Sequence, residues 1–156
     1  MKVDEPKGLR MSGQEMDTNI EDNRQALRAY AKGDPEPVLA LWSHRDDVTL
    51  ANPFGPPCRG RSEIESATRR AVANFQPGGP LYFREVSSFF DEVARYASTE
   101  LGYVVQLERH EGTLAEREGS ASVALRVTMI FRREDDGWKV VHRHADPVTA
   151  PPAPER

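Results

Sequence analysis

A single cysteine, Cys58, leaves the chain no intrachain disulfide and no multi-cysteine metal site. No stretch comes near the roughly 18–20 apolar residues that a membrane span needs, and the N-terminal residues lack the apolar core of a signal peptide. Both absences predict a cytoplasmic protein. Positive charge is not in excess: 21 Lys and Arg stand against 25 Asp and Glu, a net charge of −4, with the signs mixed along the chain. That argues against a nucleic-acid binder, which presents a basic stripe. Arg69-Arg70 sit in a helical pattern and Arg132-Arg133 end a strand pattern, where such pairs mark a solvated edge.

What is present suffices for one core. Hydrophobic residues make up 38% and charged residues 29% of the 156, the balance of a single globular domain. Residues 1–17 are polar and aperiodic and contain Pro6, Gly8 and Gly13, which predicts a flexible leader. Residues 147–156 hold four prolines and read as an extended tail. The domain is expected over 18–146.

Its first half carries three helical patterns. Thr18-x-x-Glu21 reads as a capping box, followed by Ile20, Leu27 and Tyr30-Ala31 on one face and a stop at Gly33. Asp34-Pro35 restarts a short helix through Val38, Leu39, Leu41 and Trp42, with Asp34 as the cap. Ser62-x-x-Glu65 is a second capping box, ahead of a stripe of Ile64, Ala67, Thr68, Ala71, Val72 and Phe75. Between these last two, Val48-Thr-Leu50 reads as a short strand.

The second half is β. Strands are expected at 81–90, 96–108, 120–133 and 138–146, with turns at Asp91-Glu92, Glu111-Gly112 and Asp135-Asp136-Gly137. Val123, Leu125, Val127, Met129 and Phe131 alternate and should face the helices. Helices first and long antiparallel strands after predict an α+β domain. Three N-terminal helices would pack on one face of a cone-like curved antiparallel sheet and enclose a pocket. The outer sheet face, bearing Val, Ile and Thr, is expected to pair two copies into a homodimer.

The run from Ala124 to Asp146 is a strand, a charged Asp/Gly turn, then Trp138-x-x-Val-His-x-His144. It resembles the closing hairpin of the SnoaL-like/nuclear transport factor 2-like superfamily. That group includes ketosteroid-isomerase-like proteins and the association domain of calcium/calmodulin-dependent protein kinase II. Arg45-Asp-Asp-Val-Thr-Leu-Ala-Asn-Pro-Phe-Gly-x-x-x-x-Gly60 likewise resembles the first strand and following loop. The resemblance spans about residues 19–146 and implies the fold. It does not imply one reaction, since this superfold carries isomerases, hydratases, cyclases, epoxide hydrolases and oligomerisation modules.

Two histidines lead the candidate residues. His142 and His144 are two apart on one strand with Trp138 and Val140, so all four are expected on the inward face. There a histidine, His144 before His142, could act as general acid or base near neutral pH or bind an anionic group in the pocket, or either could sit half-buried on a structural hydrogen bond. Two histidines could also share a metal, but no third ligand is marked, and no metal or other cofactor is expected. Glu100 on a strand could serve as an acid or base if it faces an apolar cavity, or else pair with an arginine. Asn52 stands where the resemblance places the aspartate base of ketosteroid isomerases, and an amide cannot take that proton. It is left as a pocket hydrogen-bonding group or an Asn-Pro turn residue.

Arg84 is a possible carboxylate anchor or an outer-face ion pair. Tyr30 and Tyr103 could donate phenolic hydrogen bonds to a ligand carbonyl, or be amphipathic core. Trp42, Phe54, Phe75 and Trp138 would line a pocket. His110 and His44 are expected in solvated turns, and Cys58 has no neighbouring base to activate it.

Two functions remain open on this reading. One is a cofactor-independent isomerase, dehydratase or cyclase acting by acid–base chemistry on a small hydrophobic carbonyl compound. The other is a non-catalytic module of the same fold that binds a small hydrophobic or carboxylate-bearing molecule, or only oligomerises.

Overall fold

The computed structural model describes residues 7–149. The elements run α1 (Lys7–Tyr30), α2 (Glu36–Ala40), β1 (Thr49–Ala51), β2 (Cys58–Arg59) and α3 (Arg61–Val72), which ends in a 3₁₀ turn at Ala73–Phe75. Four long strands follow: β3 (Phe83–Ala97), β4 (Leu101–Leu114), β5 (Ser120–Glu134) and β6 (Gly137–Pro147). The domain is α+β, as expected.

Helix α1 starts well before the expected capping box. The described part of the segment read as a flexible leader is helical from Lys7, and Met16 within it is buried. Thr18 is mid-helix, and its Oγ1 bonds back to the Gln14 carbonyl at 3.3 Å instead of capping. Met16, Ile20, Asn23 and Leu27 are all buried at spacings of three and four, so they form the face laid on the sheet. The N-cap position of α2 is held by Pro35, one residue later than expected, while Asp34 Oδ1 accepts from the Glu36 amide at 3.1 Å. The start of α3 is capped by Gly60, at φ 91°, and not by Ser62. The tail expected at 147–156 begins as strand, since Pro147 ends β6 and the Val148 amide bonds to the Ala124 carbonyl. Residues 150–156 lie outside the described residues.

The sheet has six strands in the order β2-β1-β6-β5-β4-β3. It is antiparallel except where β1 lies parallel to β6, a pairing the purely antiparallel expectation missed. Ladder irregularities between Phe83 and Glu85, Glu92 and Ala94, and Ile130 and Phe131 mark where it curves. The expected alternation in β5 holds: Leu125, Val127, Met129 and Phe131 are buried under the helices together with Ile20, Trp42 and Ile64.

Two turns are misplaced by the sequence reading. Asp91-Glu92 lies inside β3, and the chain reverses instead at 98–100. Glu111-Gly112 lies inside β4, and the reversal comes at 115–119, where Gly119 has φ 103°. Gly112 is not a turn glycine. A Cβ there would collide with the Glu85 carbonyl oxygen across the ladder, so the residue is required by close approach.

Candidate active site

The last strand decides which side chains reach the interior. On β6, Val140 pairs with Phe131 and His142 with Ile130, so Val141 between them has no partner on β5. This extra residue is a β-bulge, and it moves the alternation by one position. Before it, Trp138 and Val140 point in; after it, Arg143 and Ala145 do, and all four are buried. His142 and His144 therefore turn to the outer face. His142 is half-buried there, with Nδ1 2.7 Å from Thr49 Oγ1 on β1, and His144 is exposed. The inward placement expected for both is corrected.

The interior is furnished instead by β4. Its inward residues Val104, Gln106, Glu108 and His110 are all buried. Glu108, whose side chain is 0% exposed, takes both terminal nitrogens of Arg143, at 2.9 Å to Oε1 and 2.7 Å to Oε2. Gln106 Nε2 donates to Oε1 of the same carboxylate at 3.0 Å. Gln106 is held in turn by Arg24 of α1, which reaches its Oε1 at 2.9 and 3.1 Å and also pairs with Glu92. His110 sits one step further along β4. Its Nδ1 is 2.7 Å from Ser88 Oγ on β3, while Arg28 donates to the Ser88 carbonyl at 2.6 Å. That leaves Nε2 as the ring nitrogen with no hydrogen-bond partner among the described residues. Which nitrogen carries the proton follows from which way the Ser88 hydroxyl points.

Of these groups, His110 and Arg143 reach the wall of a cavity of about 60 Å³ between the sheet, α1 and α3. Its polar wall is Asn23, Tyr30, Asn52, Thr68, His110 and Arg143, and its apolar wall includes Leu27, Trp42, Leu50, Phe75, Leu125 and Met129. Leu50, Asn52 and Phe54 are shared with an outer groove of about 670 Å³ between the 52–58 loop and α3.

Burial sets the protonation states. It pushes the His110 imidazole below its ordinary value, with Arg143 and Arg28 acting the same way and the Glu108 charge opposing. Burial alone would raise the Glu108 carboxyl, but the charge and hydrogen bonds of Arg143 outweigh it and hold the group below the usual carboxylate range. Tyr30 is pushed up to about 12 by burial, against the pull of Arg143. At neutral pH the cavity therefore presents a neutral imidazole, a protonated phenol and a guanidinium already paired with Glu108.

Of the residues singled out from sequence, Tyr30, Trp42, Asn52, Phe54 and Phe75 line the cavity. Trp138 is buried in the adjoining core. Glu100 is not in the cavity: it stands exposed at the β3–β4 reversal, where its carbonyl accepts from the Arg133 amide. Tyr103 is exposed on the outer face of β4, 6.0 Å from Tyr96 ring to ring, and Arg84 is exposed on β3. His110, expected in a solvated turn, is 4% exposed, because β4 continues past it to Leu114. The reading missed Glu108, Arg143, Gln106, Ser88 and Asn23. Asn23 carried a usable signal, since it interrupts an apolar helical stripe at an inward position.

Among the described residues no helix is long and apolar enough to cross a membrane. A family model described as a SnoaL-like domain matches residues 21–150. No curated protein matches the chain. Among solved structures, the chain is similar to a provisionally named dehydratase of the nuclear transport factor 2-like family from Streptomyces avermitilis. The two share 20% identity and a TM-score of 0.70, over 91% of this chain and 99% of that one. A ketosteroid isomerase-like protein from Erwinia carotovora atroseptica gives 16% identity and a TM-score of 0.61, over 94% and 100%. A provisionally named calcium/calmodulin-dependent protein kinase type II association domain from Thiobacillus denitrificans gives 20% and 0.64, over 85% and 94%. At these identities the likeness is one of fold.

Proposed function

We propose that this chain, which belongs to the SnoaL-like domain family, is a cofactor-independent isomerase or dehydratase that moves a proton on a small hydrophobic carbonyl compound. The observation that carries the reading is His110, a neutral imidazole on the cavity wall with one nitrogen held by Ser88 and the other free. A general base must be unprotonated at working pH and within reach of the substrate, and His110 meets the first condition through burial. In the proposed step, Nε2 takes a proton from the carbon next to the carbonyl. The Tyr30 hydroxyl, still protonated, donates to the carbonyl oxygen as it gains charge. Return of the proton to another carbon completes an isomerisation. Its delivery to a departing β-hydroxyl, which leaves as water, completes a dehydration.

One observation favours the second reading, a non-catalytic small-molecule binder: the cavity wall carries Asn52, an amide that takes no proton, where the resemblance places a carboxylate base. The cavity of about 60 Å³ is well below the roughly 300–1,000 Å³ of drug-sized sites. A larger substrate needs the loop bearing Asn52 and Phe54 to open toward the outer groove. Pairing of two copies through the outer sheet face belongs to both readings and is supported by exposed Leu101, Tyr103 and Leu107 on β4.

Deuterium exchange next to the carbonyl of small cyclic ketones, followed by NMR, tests the enzyme. Loss of about 10²–10⁴-fold is expected in His110→Gln, with His144→Gln unchanged. A wild-type rate no higher than that of His110→Gln rules out His110 as the base.

A further inference from the structure

The charges around the cavity cancel. Arg143 is the cation on its wall, and both its terminal nitrogens are taken by Glu108. Gln106 donates to the same carboxylate, and the charge of each partner is already matched by the other. Arg24 is occupied by Gln106 and Glu92. Arg28 is outside the lining, its guanidinium over the Phe90 ring at 5.1 Å and Nη1 on the Ser88 carbonyl. An anion entering here finds no free cation on the wall, and desolvating it without a partner is costly.

One residue of the wall nevertheless carries an unmet atom. Asn52 Oδ1 is sealed from solvent and has no hydrogen-bond partner among the described residues. A buried acceptor without a donor is destabilising, and a ligand O–H or N–H would relieve it. Tyr30, on the same lining, carries a hydroxyl donor.

We infer that the cavity selects a neutral small molecule carrying a carbonyl and, close by, a hydroxyl or amide N–H, and that it rejects the carboxylate of the same shape. Asn52 Oδ1 accepts from the ligand O–H or N–H while Tyr30 donates to the carbonyl. The inference rests on the cavity being the site of the proposed function, and it narrows that function's ligands to uncharged ones. A carboxylate could reach Arg143 only by competing with Glu108, which would leave a second buried charge unmatched.

Acetamide and acetate are nearly the same shape, differ in charge and in the amide N–H, and are small enough for the cavity of about 60 Å³ as it stands. Titrated into the full chain at pH 8 and followed by NMR shifts, acetamide is expected to bind in the range of about ten to a hundred millimolar, and acetate at least about tenfold more weakly. Asn52→Leu should weaken acetamide by about fivefold or more. Glu108→Gln, which frees Arg143, should reverse the order in favour of acetate. If that variant does not fold, the wild-type pair and Asn52→Leu decide the matter. Acetate binding as well as acetamide, neither shifting any cavity resonance at about a hundred millimolar, or an indifferent Asn52→Leu each overturns the inference. Acetamide preference without proton exchange on any ketone removes the enzyme and leaves the neutral binding site standing.

Discussion

Two hydroxyl–imidazole pairs lie on opposite faces of the same sheet, each closed at 2.7 Å: Ser88 with His110 inside, Thr49 with His142 outside. The bond is the same, and the surroundings are not. His110 is 4% exposed, beside Glu108 and on a cavity wall. His142 is half-buried, flanked by exposed His144 and open to water. Burial depresses both imidazoles, but the neighbours differ: Glu108 opposes the shift inside, whereas His144 adds to it outside. The chemistry of a histidine is thus set by the face its strand presents, and on β6 one unpaired residue, Val141, chooses that face.

The contrast should be largest in stability. Glu108→Ala leaves the Arg143 guanidinium buried and unpaired, and a loss of about 3–5 kcal/mol is expected for breaking one side of such a pair. On the outer face Asp146 pairs with Arg126 at 2.9 Å, both substantially exposed. Asp146→Ala should therefore cost at most about 1 kcal/mol. Urea unfolding of the two variants checks this, and equal losses would remove the distinction between the faces.

The next difference is in pH dependence. The folded-state value of His110 lies below its ordinary 6.5, so the unfolded chain takes up the proton more readily. Its contribution is complete above about pH 6.5 and is lost as pH falls below that value. His110→Gln should flatten the decline of Tm between about pH 6.5 and 5. His142→Gln should flatten it less, since water already screens that ring. Below that range Glu108 adds a second decline, because its depressed carboxyl stabilises the fold only while ionised. A steeper limb in His110→Gln than in His142→Gln reverses the comparison.

Most of the scaffold could be read from sequence, because it rests on patterns longer than any local irregularity. The β5 alternation and the α3 stripe each repeat over several turns or pleats, so their buried faces follow from spacing alone. The site could not, because it rests on single residues. Val141 is an ordinary strand residue, and no glycine or turn signal marks it as a bulge. Without it, Trp138, Val140, His142 and His144 share a parity, and Arg143 points out. On β4 the parities mislead: Gln106, Glu108 and His110 lie on one, Val105, Leu107 and Arg109 on the other. Hydrophobicity favours burying Leu107, yet Leu107 is 41% exposed and Glu108 is 1% exposed. Arg143 makes the inversion affordable by pairing with that carboxylate from a strand distant in sequence, a partnership no local rule anticipates.

The smallest effect separates the two hydroxyls themselves. Thr49→Val keeps the shape and the strand preference of its position and removes only the bond to His142 Nδ1. Water can replace that bond at a half-buried ring, so a loss of a few tenths to about 1 kcal/mol is expected, with proton exchange unaffected. Ser88→Ala removes the corresponding bond where water has no easy access, leaving His110 Nδ1 without its partner. The stability cost should be about 1–3 kcal/mol, and the exchange rate should fall by about tenfold as the ring loses its orientation. The two variants need only be melted and assayed side by side. If Thr49→Val lowers exchange as much as Ser88→Ala does, the outer pair is coupled to the cavity, and the sheet does not separate the two histidines as its faces imply.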